Sequence, residues 1–179
     1  MPQLDRLETT RLVLRKPRSE DAQSIFSRYA SDPNVTRFVA WPRHCSVDDS
    51  KAFLEFSETE WKRWSIGPYL IESKEDGRLI GSAGLSFETS YRVSTGYVLA
   101  QDSWGAGYAT EVLEKMVCIA RELAVRRIYA LCHPDHRASQ RVLEKGGFER
   151  EAILRCYTEF PNLRSGEPND VLCYTRLLP

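Results

Sequence analysis

Apolar residues recur along this chain with two different periods, and the change from one to the other predicts its elements. Leu12-Val13-Leu14, set between Arg11 and Arg15, reads as a short strand. Ser19 reads as a helix N-cap with Glu20 and Asp21 in the first turn, ahead of Ala22, Ile25, Phe26 and Tyr29 at helical spacing. Asp32-Pro33-Asn34 closes that helix. Beyond a loop around Pro42, Ser46 is a second N-cap candidate, backed by Asp48 and Asp49. Its helix carries Ala52, Phe53 and Phe56 and runs toward Trp61 and Trp64. Tyr69-Leu70-Ile71 and Leu79-Ile80 flank Glu75-Asp76-Gly77-Arg78, and Asp-Gly between two apolar runs predicts a hairpin. Leu85 and Phe87 continue the second strand, and Val93 to Leu99 forms another.

From Tyr108 the period lengthens. Ala109, Val112, Leu113, Met116, Val117 and Ala120 form one stripe, which predicts a helix from Tyr108 to Leu123 with Glu111 and Lys115 paired across a turn. Ile128 to Cys132 is the next strand. Ala138, Val142 and Leu143 mark a shorter helix that Gly146 is placed to end. Phe148 to Leu154 and Asp170 to Leu177 read as two final strands around a loop rich in Pro, Asn, Gly and Ser. The order predicts a mixed α/β (α+β) fold as one domain over residues 1–179. Its central sheet is mostly antiparallel and twisted, with flanking helices and one right-handed parallel strand-helix-strand crossover.

Composition narrows the function more than the fold. A chain of 179 residues suits one domain. Lys+Arg and Asp+Glu both total 25, so no global basic field points to nucleic acid as a direct partner. The five cysteines (Cys45, Cys118, Cys132, Cys156 and Cys173) are scattered and read as reduced thiols. Met1 to Arg6 contains no apolar signal core, and no stretch approaches the ~18 apolar residues of a membrane span. These features lead us to expect a cytoplasmic protein without a membrane partner; a homodimer is left open.

The chemistry concentrates at Trp104-Gly105-Ala106-Gly107, where a strand ending near Ala100 meets the strongest helix. A helix start carries unsatisfied N–H groups and partial positive charge, and glycines let an anion approach. Together they make a phosphate seat. A P-loop is excluded because no Gly-Lys-Ser/Thr follows. A dinucleotide fingerprint would need a small residue at Thr110 and an acid at the tip of the strand ending at Cys132, and both are missing.

Val93-Ser94-Thr95-Gly96-Tyr97-Val98-Leu99 followed by Trp104-Gly105-Ala106-Gly107-Tyr108-Ala109-Thr110-Glu111 resembles the acetyl-CoA-binding core of the GNAT N-acetyltransferases. Ser139 to Phe148 resembles that family's next helix and strand. Leu7 to Arg15 and Asp170 to Tyr174 resemble its Rim-type branch, which acetylates ribosomal-protein N-termini. The resemblance runs from about Leu7 to Leu177 and implies direct attack of a primary amine on the thioester of acetyl-CoA. The acceptor would be a peptide or protein N-terminus or a small amine. A second reading is an acetyl-CoA-binding sensor or scaffold of the same fold that has lost turnover.

By this resemblance the backbone from Trp104 and Gly105 through Thr110 holds the phosphates, and the strand Tyr97-Val98-Leu99 pairs with the pantetheine arm. A backbone N–H near Leu99 polarises the acetyl oxygen, where one such donor is worth ~3–4 kcal/mol in rate. Leu143 stands at the family's usual acid tyrosine. Ser139 matches the serine of the Rim-type Asn-x-x-Ser motif and is assigned as the thiol partner, while the motif's asparagine is His136 here, a cofactor contact by position. Glu159 lies close to the branch's base glutamate, with Thr158 as the other alignment; Glu88 and Asp170 are weaker candidates. Arg137 and Arg141, one turn apart, either meet cofactor phosphates or form a solvated face. The early helices and the Phe38-Val39-Ala40-Trp41-Pro42 loop would build the acceptor pocket, with Trp41 and Tyr69 as groove-lining or core aromatics. An α-amine, with pKa ~7.7–8.0, needs little help to be neutral, whereas a lysine at ~10.4 needs a real base. Cys132, His133 and His136 offer no persuasive metal set, because two are adjacent and no fourth ligand is near.

Overall fold

The computed structural model describes residues 4–179; the first residues of the N-terminal stretch read above, Met1 to Gln3, lie outside them. Eight strands form a single sheet: β1 (Arg6–Glu8), β2 (Leu12–Arg15), β3 (Tyr69–Ser73), β4 (Leu79–Thr89), β5 (Arg92–Leu99), β6 (Arg127–Cys132), β7 (Glu149–Phe160) and β8 (Arg164–Leu177). Their spatial order is β1-β2-β3-β4-β5-β6-β8-β7, and every neighbouring pair is antiparallel except β5 and β6. The longer helices are α2 (Val47–Trp64), α3 (Tyr108–Glu122) and α4 (Arg137–Lys145), preceded by a short α1 (Ala22–Ile25). No helix among the described residues is long and apolar enough to cross a membrane.

Two buried clusters lie on opposite sides of the sheet. Tyr69 and Ile71 join one and Leu70 the other, as strand alternation requires. The larger cluster takes the stripe of α3, where Val112, Leu113, Met116 and Val117 are buried. The smaller holds Ile25, Tyr29, Val35 and Leu70. Glycine matters at the end of α4, where a side chain on Gly146 would meet Leu113 Cδ2 at 2.6 Å. Gly146 itself keeps a negative φ of −75°, and Gly147 takes the left-handed conformation at φ +73°. The helix therefore turns one residue later than its first glycine suggests.

Four expectations change. Ser19 is not an N-cap: Ser19–Asp21 is a 3-10 turn, and the capping acceptor is Asp21, which takes the Arg18 N–H at 2.7 Å. Phe26–Ala30 winds as a π-turn rather than continuing α1. Glu111 does not turn to Lys115 but reaches back to Thr9 and Arg11. The supposed loop between the last strands is instead a long hairpin. Pro168 is tolerated there because β6 pairs with β8 only from Leu172 onward, leaving one edge near Pro168 without a ladder to interrupt. Breaks in register between Leu154 and Thr158, and a positive φ at Cys156, bend the hairpin.

Candidate active site

The parallel pairing that makes the crossover stops early. Arg92, Val93 and Ser94 pair with Arg127, Ile128 and Tyr129, and beyond them β5 and β6 diverge. A cleft of about 1200 Å³ opens in the gap, lined by Tyr97 and Leu99 on one side and Leu131 and Cys132 on the other. The backbone there has a defined polarity. Ala100 N–H donates to Ile80 O on β4 at 2.8 Å. Alternation then turns the N–H groups of Tyr97 and Leu99 away from β4, toward the gap, while the backbone of Val98 faces β4; all three residues line the cleft. An extended chain laid in the gap would meet a ready-made strand edge.

At the end of β5 the chain turns into α3. Gly105 and Gly107 both hold left-handed φ, at +77° and +82°. Space in front of Gly105 is open to 4 Å. Gly107 caps α3 without a side chain, and the first helical bond runs from Glu111 N–H to Gly107 O. The N–H groups of Tyr108, Ala109 and Thr110 therefore precede the ladder, and all three residues line the cleft. Trp104, half exposed, anchors the turn by donating its indole N–H to Leu99 O at 2.8 Å.

A brace from the N-terminal hairpin holds this turn. The Arg11 guanidinium donates to Ala106 O at 2.8 Å and to Glu111 at 2.7 Å, and stacks over Tyr108. The Arg11 N–H and the Thr9 hydroxyl donate to the other Glu111 oxygen. Glu111 is partly buried, which raises its pKa, but these donors outweigh burial and hold the carboxyl below its ordinary value. Sequence pattern missed this brace because it joins residues about a hundred positions apart.

On the opposite wall α4 starts at His136, again without a side-chain cap. Ser139 Oγ lies 3.0 Å from Tyr97 Oη, so a hydroxyl pair bridges α4 and β5. Burial pushes the Tyr97 phenol well above its usual range and the Cys132 thiol up to about 11, so both keep their protons at neutral pH. Leu143 is buried in the core with no hydroxyl to offer. Arg137 and Arg141 also line the cleft, with Arg137 bonded to Gln140 at 3.2 Å.

The remaining wall comes from the loop before α2. Phe38 stacks on His136 at 4.8 Å and on His133 at 5.0 Å, and Phe160 meets His133 edge-on. Trp41 lines the cleft, whereas Tyr69 is core and donates to Leu4 O. Asn162, in the β7–β8 turn, donates to Thr36 O and Trp41 O and accepts from Arg43 N–H, so one amide fixes the loop to the hairpin.

The expected carboxylates do not converge. Glu159 is exposed on the far face of β7, accepting from Gly166 N–H at 3.0 Å, while its neighbours Thr158 and Phe160 face the cleft. An alternating strand admits one set or the other, and the register admits Thr158. Glu88 is bound to Arg92 and Tyr129, and Asp170 to Arg155 and the Cys156 N–H. Among the described residues no cluster of His, Cys, Asp and Glu could hold a metal.

Comparison with known proteins agrees with this geometry. Residues 11–149 match the family model described as acetyltransferase (GNAT) domain. The chain is 31% identical over 181 residues to the uncharacterized N-acetyltransferase YoaA of Bacillus subtilis (strain 168), spanning 97% of each chain. Among solved structures, the Microcin self immunity acetyltransferase MccE, in complex with acetyl-CoA and AMP, superposes with a TM-score of 0.84 at 19% identity, covering 95% of this chain and 94% of that one. RimL, a ribosomal alpha-N-protein acetyltransferase in complex with coenzyme A, gives 0.80 at 20% identity, with 95% and 96% covered. With an open strand edge beside an uncapped helix start, and a family model spanning most of the chain, the protein belongs to the GNAT family of acetyltransferases.

Proposed function

We propose that the protein transfers the acetyl group of acetyl-CoA to a primary amine, on a peptide or protein N-terminus or a small molecule, by direct attack in a ternary complex. The carrying observation is the divergence of β5 from β6, which leaves the Tyr97 and Leu99 N–H groups facing a cleft that ends at the start of α3. The complexes of MccE with acetyl-CoA and of RimL with coenzyme A support the choice of ligand.

In this reading the N–H groups from Gly105 through Thr110 hold the pyrophosphate, favoured by the helix start. The pantetheine amides pair with the β5 edge, and Leu99 N–H polarises the acetyl carbonyl as bond order shifts to oxygen. Ser139 delivers a proton to the departing thiolate, with the Tyr97 hydroxyl behind it as the next donor. The loop carrying Phe38 and Trp41 receives the amine. A cytoplasmic location fits the five free cysteines, which suit a reducing compartment.

The test is acetyl-CoA binding by calorimetry together with thiol release against N-terminal peptides, polyamines and aminoglycosides. Binding with acceptor-dependent release is expected. Binding without release from any amine would support the sensor reading, and absence of binding would refute the cleft assignment.

A further inference from the structure

We propose that His136 is the general base of the acetyl transfer and that the acceptor it suits is an α-amine rather than a lysine side chain. The inference rests on the transferase reading above and assigns the proton acceptor that reading leaves open.

Placement comes first. His136 is the N-cap of α4 and Ser139 lies in its first turn, three residues on, and both line the cleft. Phe38, from the acceptor-side loop, stacks on the imidazole itself at 4.8 Å and 22°. The ring thus stands at the seam between the thiol end of the cleft and the wall that receives the amine. A base must sit within hydrogen-bond reach of the nitrogen it deprotonates, and this seam is where that nitrogen has to approach the carbonyl.

The ring is also uncommitted. The hydrogen bonds of His136 run through its backbone: its N–H donates to His133 O, and its carbonyl accepts from Gln140 N–H and from Cys132 Sγ. No donor or acceptor among the described residues meets the imidazole nitrogens. His133 differs, because its Nδ1 accepts from Asp135 N–H at 3.1 Å and is occupied. The lining carboxylates are Glu60, on α2, and Asp135, whose side chain is 81% exposed and lies nearest to His133.

The charges around the ring set its resting state. Phe38 stacks on both His133 and His136, the His133 charge bears on His136, Arg37 bears on His133, and Asp135 and Arg137 flank His136 in sequence. Cys132 keeps its proton. Burial, with a smaller contribution from His133, lowers the imidazole below its ordinary value, so it is neutral and able to accept a proton at pH 7.

Magnitude then selects the acceptor. Because the imidazole lies below its ordinary value, proton transfer to it is uphill from an α-ammonium, at pKa ~7.7–8.0, and far more so from a lysine, at ~10.4. The second gap is some two to three orders of magnitude worse. In the step itself one ammonium proton passes to the imidazole and on to water. The nitrogen lone pair forms the N–C bond, and the C–S bond breaks with its electron pair on sulfur. The second proton lost by nitrogen balances the one the thiolate takes up through Ser139.

The experiment compares wild type, His136→Gln and His136→Ala on unblocked short peptides and on Nα-acetylated lysine peptides from pH 5.5 to 9. Acetyl-CoA affinity is measured on the same samples. The expected results are acetyl-CoA affinity within about threefold of wild type, kcat/KM at pH 7 lower by about 100-fold in both variants, and loss of the acidic limb of the pH profile. Added imidazole should partly restore His136→Ala, and wild type should prefer unblocked peptides by at least about 100-fold. An acidic limb unchanged in His136→Ala would overturn the proposal. So would a collapse of acetyl-CoA affinity with that limb intact, which would make His136 a cofactor contact. Wild-type release with lysine peptides alone would overturn the acceptor assignment and leave the transferase reading standing. Wild type that binds acetyl-CoA but releases no thiol with any amine would remove the reading itself, and this proposal with it.

Discussion

Helices α2 and α3 begin in opposite ways. At the start of α2, Asp49 accepts the N–H groups of Cys45 and Ser46 at 2.8 and 2.9 Å, so the protein supplies its own anion. At the start of α3 the cap is a left-handed glycine with no side chain, and the residues whose N–H groups precede the ladder line a cleft. The same macrodipole acts at both ends. One helix start is completed internally and serves stability; the other is left incomplete, and in the proposed function an anion from outside completes it. α4 repeats the second pattern on the facing wall, where His136 starts the helix without a side-chain cap. Two unfinished helix starts around one gap distinguish a binding cleft from an ordinary groove.

The sharpest way to break that contrast is Gly107→Val. A β-branched residue at φ +82° carries strain of about 1–3 kcal/mol, which the turn relieves by rotating its N–H groups away from the cleft. Losing two charge-assisted bonds to phosphate costs about 3 kcal/mol or more, so acetyl-CoA should bind at least ~100-fold more weakly. A domain of ordinary stability survives the strain, so circular dichroism should show a folded protein with a modestly lower melting midpoint. Unchanged affinity by calorimetry would remove the phosphate seat.

Ser139→Ala separates holding from turning over. Its hydroxyl meets the Tyr97 hydroxyl on β5 rather than the turn at Gly105 and Gly107. We expect kcat to fall by about 100-fold with acetyl-CoA affinity within about threefold. Wild-type turnover would free Ser139 from the role.

What could be read from the letters divides along the same line. The β5–turn–α3 unit is local: an apolar strand, two glycines and a clean helical stripe follow one another, so position alone predicts the seat. Motif spacing also singled out Ser139, which the structure places on α4 beside the cleft. Which of Thr158 and Glu159 faces the cleft was not legible, because strand parity decides it and the register breaks along β7 hide that parity. The Phe38-Val39-Ala40-Trp41-Pro42 loop was singled out, but its contacts were not legible, because they join Phe38 to His136 and Asn162 to Trp41 from across the chain. The Ser19 cap failed for a local reason. Asp21 is held at once by Arg15 and the Arg18 N–H, and this stronger acceptor sets where the turn starts.

Arg11→Ala probes the brace that keeps the unfinished start in shape. Arg11 is 45% exposed, so water screens its ion pair with Glu111, and the pair is worth only about 1 kcal/mol. Losing it should let the Ala106 carbonyl and the turn move. Acetyl-CoA affinity should weaken by about fivefold while kcat at saturation holds. A change in kcat alone would mean that the N-terminal hairpin acts on the acceptor side instead.

Asp49→Ala should do the reverse of Gly107→Val, leaving acetyl-CoA affinity unchanged and lowering the melting midpoint by about 2–4 °C at neutral pH. The deficit also has a pH signature. The Ser46 and Cys45 N–H groups hold the Asp49 carboxyl below its ordinary value, so its contribution is fully present above the usual carboxylate range. That contribution is lost as pH falls through the lowered folded value, where the carboxylate takes up a proton and stops capping. The melting curves of wild type and Asp49→Ala should therefore separate at pH 7 and draw together in acid. A gap that persists at the acid end would show that the side chain stabilises α2 by packing rather than by charge, and the contrast between the two helix starts would lose its electrostatic basis.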